Sequence, residues 1–289
     1  AQGMGMSFNS IHQDSRGFLW LGSTNGLYRY DGAGFRFHKK WLSEGVPVSS
    51  DWIWDLAEDT GGDLWIATYN GGLNRWRRRA DTIEHFRHLP GDPHSLSGDG
   101  VLYLTFDGEG MLWMVVQSPA GGLVLNRLDP RDGRVTRFSA AQGLAGGPLH
   151  IAGHPAANIH PVVCDQNGGI WVATERGLFH YARSEDRFVP VALDGAGEGA
   201  LRILNIYPSP IDTGTLWVSA TAPDRPEGLL FRVDRRAGYG RLIHRSEQPV
   251  FSLWQSPDQP DELWFTTQAL HRLHLHGGEA TTFPVPFGD

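Results

Sequence analysis

SFNSIHQDSRGFLWLGSTNGLYRYDG, residues 7–32, carries the plan of the whole chain. An apolar-polar run leads into an acidic turn that opens at Asp14 and closes at Gly17. A second run is centred on Leu19–Trp20, a tight turn follows at Asn25–Gly26, and a third run ends at Asp31. Aspartate at the head of a turn bonds backbone N–H groups two residues on, and glycine supplies positive φ. Alternation in LYRYD marks a strand with one buried and one wetter face.

The plan recurs. An aliphatic-Trp pair follows a turn in GFLWLGS (17–23), GDLWIAT (62–68), GMLWMVV (110–116), GGIWVAT (168–174), GTLWVSA (214–220) and DELWFTT (261–267). The tryptophans, Trp20, Trp65, Trp113, Trp171, Trp217 and Trp264, are spaced by 45, 48, 58, 46 and 47 residues. Asp14, Asp59, Asp107 and Asp165 each stand three residues before a glycine. A third run (NGLYRYD, GGLNRW, GGLVLNRLD, RGLFHYA, EGLLFRVD, ALHRLHL) and a fourth (FRFHKK, TIEHFRH, RVTRFS, RFVPVA, RLIHR, ATTFPV) complete each unit. That period suits a blade of four short antiparallel strands, with the large indole filling space between blades.

The expected fold is therefore all-β, a β-propeller of six four-stranded blades, or seven if a blade is completed outside the chain or by the termini. One domain is expected over 1–289, with blades near 7–40, 49–88, 95–139, 154–191, 200–245 and 248–285, and almost no helix. The Gly-, Ala- and Pro-rich stretch 139–158 accounts for the longest Trp spacing and reads as an inter-blade loop.

Composition agrees. Of 289 residues, 37 are glycine and 11 tryptophan, as turn-rich β structure requires. The formal net charge of −7 gives no electrostatic footprint for nucleic acid. Cys164 is the single cysteine, so no internal disulfide forms, which suits cytosol and periplasm alike. No apolar run is long enough to span a bilayer. The first residues carry no signal-peptide pattern, so an export signal, if used, is expected to have been removed.

The pattern S-I-x-x-D-x-x-G-x-L-W-x-G-T-x-x-G-L-x-R-Y-D resembles the two-component regulator propeller repeat. Residues 7–32 follow it along their length. SDWIWDLAEDTGGDLWIATYNGGLNRW and NIHPVVCDQNGGIWVATERGLFHY follow it well, the third and fifth units more loosely, and the sixth least. The resemblance implies a periplasmic sensor region of a bacterial inner-membrane protein. In that family such propellers, commonly of seven blades, precede a small β-sandwich, a transmembrane helix and a histidine kinase or diguanylate cyclase. Expected partners are a small polar ligand or a protein, and those signalling domains. Dimerisation of the full-length receptor is one arrangement open to it.

In a propeller the loops joining strand four to strand one, and strand two to strand three, share one face, and loops on a rigid scaffold carry function. Here they hold Asn25, Trp52, Trp54, Tyr69, Asn70, Gln117, His160, Glu175, Arg176, Arg202 and Gln268, the expected ligand-binding residues. Trp52 and Trp54 also suit simple packing between blades, and Glu175–Arg176 an ordinary solvated pair. No catalytic residue, metal or cofactor is expected.

Other constellations read as structural. His274 and His276 of H-x-x-H-x-H share a strand face but have no local third ligand. RWRRRAD (75–81) reads as a solvated turn, and Cys164 as a buried inert thiol. Two alternative functions remain. One is a Mg²⁺-using propeller lyase of the streptogramin-inactivating type, resting on ELWFTT (262–267) with His160 and Glu175 as the pair to test. The other is a protein-docking ring with no small ligand.

Overall fold

The structure is a computed structural model that describes residues 8–38, 48–145, 160–197, 199–222, 225 and 227–283. The chain divides into two compact units, 1–138 and 139–289. In the first, β1 (Phe8–Gln13), β2 (Leu19–Ser23), β3 (Gly26–Tyr30) and β4 (Phe35–His38) form the first sheet. β5 (Ile53–Glu58), β6 (Leu64–Thr68), β7 (Leu73–Arg77) and β8 (Thr82–Phe86) form the second. β9 (Gly100–Phe106), β10 (Leu112–Gln117), β11 (Leu123–Leu128) and β12 (Val135–Phe138) form the third.

In the second unit, β13 (Val162–Cys164), β14 (Ile170–Thr174), β15 (Gly177–Ala182) and β16 (Arg187–Pro190) form the fourth sheet. β17 (Ala192–Asp194), β18 (Arg202–Pro208), β19 (Thr215–Thr221), β20 (Gly228–Asp234) and β21 (Tyr239–Ser246) form the fifth. β22 (Ser252–Trp254), β23 (Glu262–Thr266), β24 (Leu270–His274) and β25 (Ala280–Phe283) form the sixth. Two single-turn 3-10 segments, Ala140–Gln142 and Arg183–Glu185, are the helical structure among the described residues. Six antiparallel four-stranded meanders are propeller blades, as the repeat predicts.

One strand departs from that plan. RFVPVA, expected as one closing strand, breaks at Val191. Arg187–Pro190 closes the fourth sheet, whereas Ala192–Asp194 crosses to the fifth and pairs parallel with β21. Gly240 makes this approach feasible, because a Cβ there would lie 2.4 Å from Leu193 Cδ2. The Tyr239 hydroxyl ties down the crossing strand by donating to Asp194 (2.7 Å).

Four of the repeat tryptophans pack their face of one sheet onto the aliphatic face of the next. Trp20 meets Leu56, Leu64 and Ile66, and Trp65 meets Leu104, Leu112 and Met114. Trp171 meets Ile206, Leu216 and Val218, and Trp217 meets Leu253, Leu263 and Phe265.

The repeat aspartate does more than open a turn. Its Oδ1 accepts backbone N–H groups two and four residues on, and its Oδ2 accepts the indole N–H six residues on. The indole bonds are 2.8 Å (Asp14–Trp20), 2.9 Å (Asp59–Trp65), 2.9 Å (Asp107–Trp113) and 2.8 Å (Asp165–Trp171). The residue paired across strands two and three then lies over the indole. Arg29, Arg75, Arg127, Arg232 and Arg272 do so at 5.0–6.0 Å from the ring centroid. His180 takes that place over Trp171, at 4.5 Å.

The basic run 75–81 is not a solvated turn. Arg75 pairs with Asp59 and Asp63, and the buried Arg78 guanidinium crosses to Asp14 and Glu58. It therefore ties the second sheet to the first. Arg235 does the equivalent in the other unit, reaching Asp165 at 3.1 Å. Cys164 is half-buried, not buried, and its thiol donates to the Asp165 carbonyl. β24 ends at His274, and His276 lies beyond it beside Asp261, so the two imidazoles do not share a strand face.

Candidate functional site

In the first unit, β1, β5 and β9 lie side by side as the leading strands of their sheets. Each is bulged near its start, at Asn9, Trp54 and Leu102 respectively. A bulge inserts an extra residue and re-aims the side chain it carries. In the second sheet that residue is Trp54, and its neighbours form an aromatic surface. Trp52 stacks on Tyr69 at 4.3 Å, Trp54 stacks on Tyr69 at 5.5 Å, and the two indoles lie 6.4 Å apart. Trp52 is 36% exposed, so the stack presents a ring face to solvent rather than filling a core.

Polar groups frame the stack. Asn70 is exposed and its amide oxygen accepts from the Ser50 hydroxyl at 2.6 Å. The Tyr69 backbone N–H donates to the Trp52 carbonyl, locking the two loops together. Gln117 approaches from the third sheet. The Tyr69 carbonyl and the Gln117 side chain both press on Gly100, where an added Cβ would meet them at 2.9 and 3.1 Å.

Beneath the stack, the buried Tyr103 hydroxyl accepts from Trp54. Burial first, then the Asp55 charge, pushes that phenol up to about 12. Asp55 is buried and accepts the Leu104 backbone N–H at 2.9 Å, which stitches β5 to β9. The surface thus rests on a fixed polar support.

The structure brings together Trp52, Trp54, Tyr69, Asn70 and Gln117. Asn25 stands apart in the β2–β3 hairpin of the first sheet, exposed, with its N–H on Ser23 Oγ.

In the second unit Glu175 pairs with Arg202 at 2.9 Å, not with its neighbour Arg176, and both partners are well exposed. Arg176 is exposed and its backbone N–H donates to Thr174 Oγ1. His160 is half-buried ahead of β13.

Gln268 lines a cavity of about 620 Å³ between the loops of the fifth and sixth sheets. His244, Phe265 and His271 form its wall. Phe265 stacks on His271 at 4.6 Å and lies 5.6 Å from His244. Glu247, Gln248 and Gln268 form its rim, with the two amides 3.3 Å apart. Burial lowers the pKa of both imidazoles, and His271 lowers that of His244 further, so both are neutral at pH 7. His271 spends its two ring nitrogens on Thr267 and Thr282.

Ser50, Asp55, Tyr103 and His244 adjoin these residues without being singled out by the sequence, and His271 enters there only as the first histidine of H-x-x-H-x-H. Ser50 and Tyr103 sit beside residues that the sequence did select. His244, in RLIHR, carries no local signal, because its role depends on the next sheet.

The two component regulator propeller repeat matches residues 2–25 and 47–70, so the chain carries that repeat in its first two units. No curated protein matches it. Among solved structures, it is similar to the extracellular domain of a B. thetaiotaomicron hybrid two-component system. The TM-score is 0.66 at 20% identity, over 98% of this chain and 35% of that one. It is also similar to Porphyromonas gingivalis dipeptidyl peptidase 4, with TM-score 0.62 at 8% identity, over 96% of this chain and 46% of that one. A chain of the mitotic checkpoint complex gives TM-score 0.60 at 13% identity, over 97% of this chain and 80% of that one. At these identities the shared property is the propeller fold. The chain spans about a third of the length of the first of these structures.

Proposed function

We propose that this chain, which carries two-component regulator propeller repeats, is a non-catalytic, extracytoplasmic sensory module of a bacterial membrane signalling protein. It binds a small polar ligand at the Trp52–Trp54–Tyr69 surface and passes the event to a downstream kinase or diguanylate cyclase. The observation that carries this reading is a half-exposed aromatic stack on a bulged leading strand, framed by Ser50, Asn70 and Gln117. A ligand with an apolar ring face and hydroxyl or amide edges, such as a saccharide, matches it: the ring face stacks and the edges bond the amides. A ligand drives signalling only by its differential affinity for two states. Asp55 offers a route, since it joins the leading strands of two sheets just beneath the stack.

The test is a thermal-shift screen of the 289-residue chain against a panel of mono- and oligosaccharides. Ligand at about 100 times its dissociation constant adds roughly 2.7 kcal/mol to stability. A hit should lose its shift in Trp52→Ala and in Tyr69→Ala. A hit unaffected by both substitutions would place binding elsewhere and end this assignment.

A further inference from the structure

Within the second unit, the cavity between the fifth and sixth sheets departs from the repeat at two places. The first is on strand three, at the residue paired with the one that follows the tryptophan. In the second and third sheets that residue is Asn74 or Asn126, fully buried. Its amide exchanges two hydrogen bonds with Ser49 or Ser97 of the loop ahead of its sheet. In the fifth sheet it is the buried Phe231. In the sixth it is His271, half-buried, whose partners are Thr267 and Thr282 of its own sheet. The space that asparagine and serine close elsewhere is here a cavity of about 620 Å³.

The second departure is in β21. Its register against β20 slips so that Phe231 faces Leu242 and Leu230 faces His244, with Ile243 as the extra residue. In an unbroken strand His244 would share the face of Leu242, which packs with Trp171 and Phe231. The bulge turns it to the face of Ile243, towards Phe265 of the sixth sheet. Among the described residues no hydrogen bond occupies either ring nitrogen of His244. At the rim the Gln248 side-chain N–H donates to Gln268 Oε1 at 3.3 Å. That leaves the Gln268 N–H groups and the Gln248 side-chain carbonyl as a donor and an acceptor side by side. The rim is held in place. The Ser219 hydroxyl donates to the Val250 carbonyl, and the Gln248 backbone carbonyl would lie 2.4 Å from a Cβ on Gly228. Arg245 is committed to Glu227 and the Gly195 carbonyl, so its charge is already answered.

We propose that this cavity, built from residues of the second unit alone, is a second ligand site that takes an uncharged planar ring with an amide edge, N–H beside C=O, as in a pyrimidine such as uracil. The ring packs against Phe265 and His271, and its edge meets the Gln248–Gln268 pair. One donor and one acceptor there match one acceptor and one donor on the ligand. The His244 imidazole, with a donor and an acceptor of its own, bonds the far side of the ring. A sugar hydroxyl rotates to serve as donor or acceptor and needs no matched pair, whereas a planar amide has fixed polarity. A ring without that edge leaves the rim amides unanswered, which costs affinity.

The test is uracil titrated into the 289-residue chain while the imidazole ring signals of His244 and His271 are followed, each assigned by its loss in His244→Phe or His271→Phe. Uracil should move both signals. Dimethyluracil, methylated at both ring nitrogens, keeps the ring but loses the N–H, and should bind about tenfold more weakly. Gln268→Leu should weaken uracil to a similar degree, whereas Trp52→Ala should leave its binding unchanged. Uracil that moves neither signal at millimolar concentration overturns the proposal. Dimethyluracil binding as tightly as uracil overturns it too, as does uracil binding that disappears in Trp52→Ala. The comparison of uracil with dimethyluracil uses the unaltered chain, so it decides the matter even where a variant fails to fold.

Discussion

Asp107 shows how much one side chain carries in this repeat. It accepts the Trp113 indole at 2.9 Å and the backbone N–H groups of Glu109 and Met111. Asp107→Ala strands donors that are largely shielded from water, so stability should fall by about 2–4 kcal/mol. Urea unfolding should show it as a lower midpoint with an unchanged slope. The sequence made this aspartate visible as turn punctuation, because its spacing to glycine is local. Its bond to an indole six residues on was hidden, since it exists only once two strands have paired. Trp52, Trp54 and Tyr69 were legible as aromatic residues in loops. Their stacking was not, because it depends on the bulge at Trp54.

Between elements, charge does what the apolar clusters do within them. Arg78 leaves the end of β7 and pairs with Asp14 and Glu58 across the first and second sheets. Arg78→Met leaves both carboxylates buried beside a neutral chain, and breaking such a pair costs about 3–5 kcal/mol. Thermal unfolding should show the loss, and the second substitution Asp14→Asn should recover part of it, because the two sites share one network. The basic run looked solvated because sequence shows the charges but not the acids of the neighbouring sheet. β17 was invisible for the same reason, being three residues whose partner is set by tertiary approach to Gly240. Gly240→Val should displace Leu193 and free β17, which hydrogen exchange at Ala192–Asp194 will report.

For the whole molecule, titration sets the acid limit. Burial lowers the pKa of His12, His85, His180, His244 and His271, so each takes up its proton at lower pH in the fold than in the unfolded chain, which protonates from about 6.5 downward. A depressed pKa of this kind contributes stability that is complete above 6.5 and lost as pH falls towards the folded value. Asp14 and Asp165 follow at lower pH. Burial alone would raise them, but bonds from Trp20 and Trp171, from backbone N–H groups and from Arg78 and Arg235 outweigh it. Their contribution is complete above 3.8 and lost as they protonate. Denaturation midpoints measured from pH 8 to pH 3 should therefore decline in two stages, and His180→Gln should flatten the first. At this scale the six tryptophans made the architecture readable, because a blade is a local unit of about 45 residues. The cavity beside Gln268 was not readable, since the fifth and sixth sheets each supply part of it.

An unpaired outer strand offers its backbone to any extended peptide that drifts past. β21 has no such vacancy, since Ala192–Asp194 already runs beside Tyr239–Arg241. The fifth sheet's rim is thus sealed along that stretch against fibril-like stacking and against recruitment of a foreign strand. The segment that joins two repeats is also the guard on the second one's border.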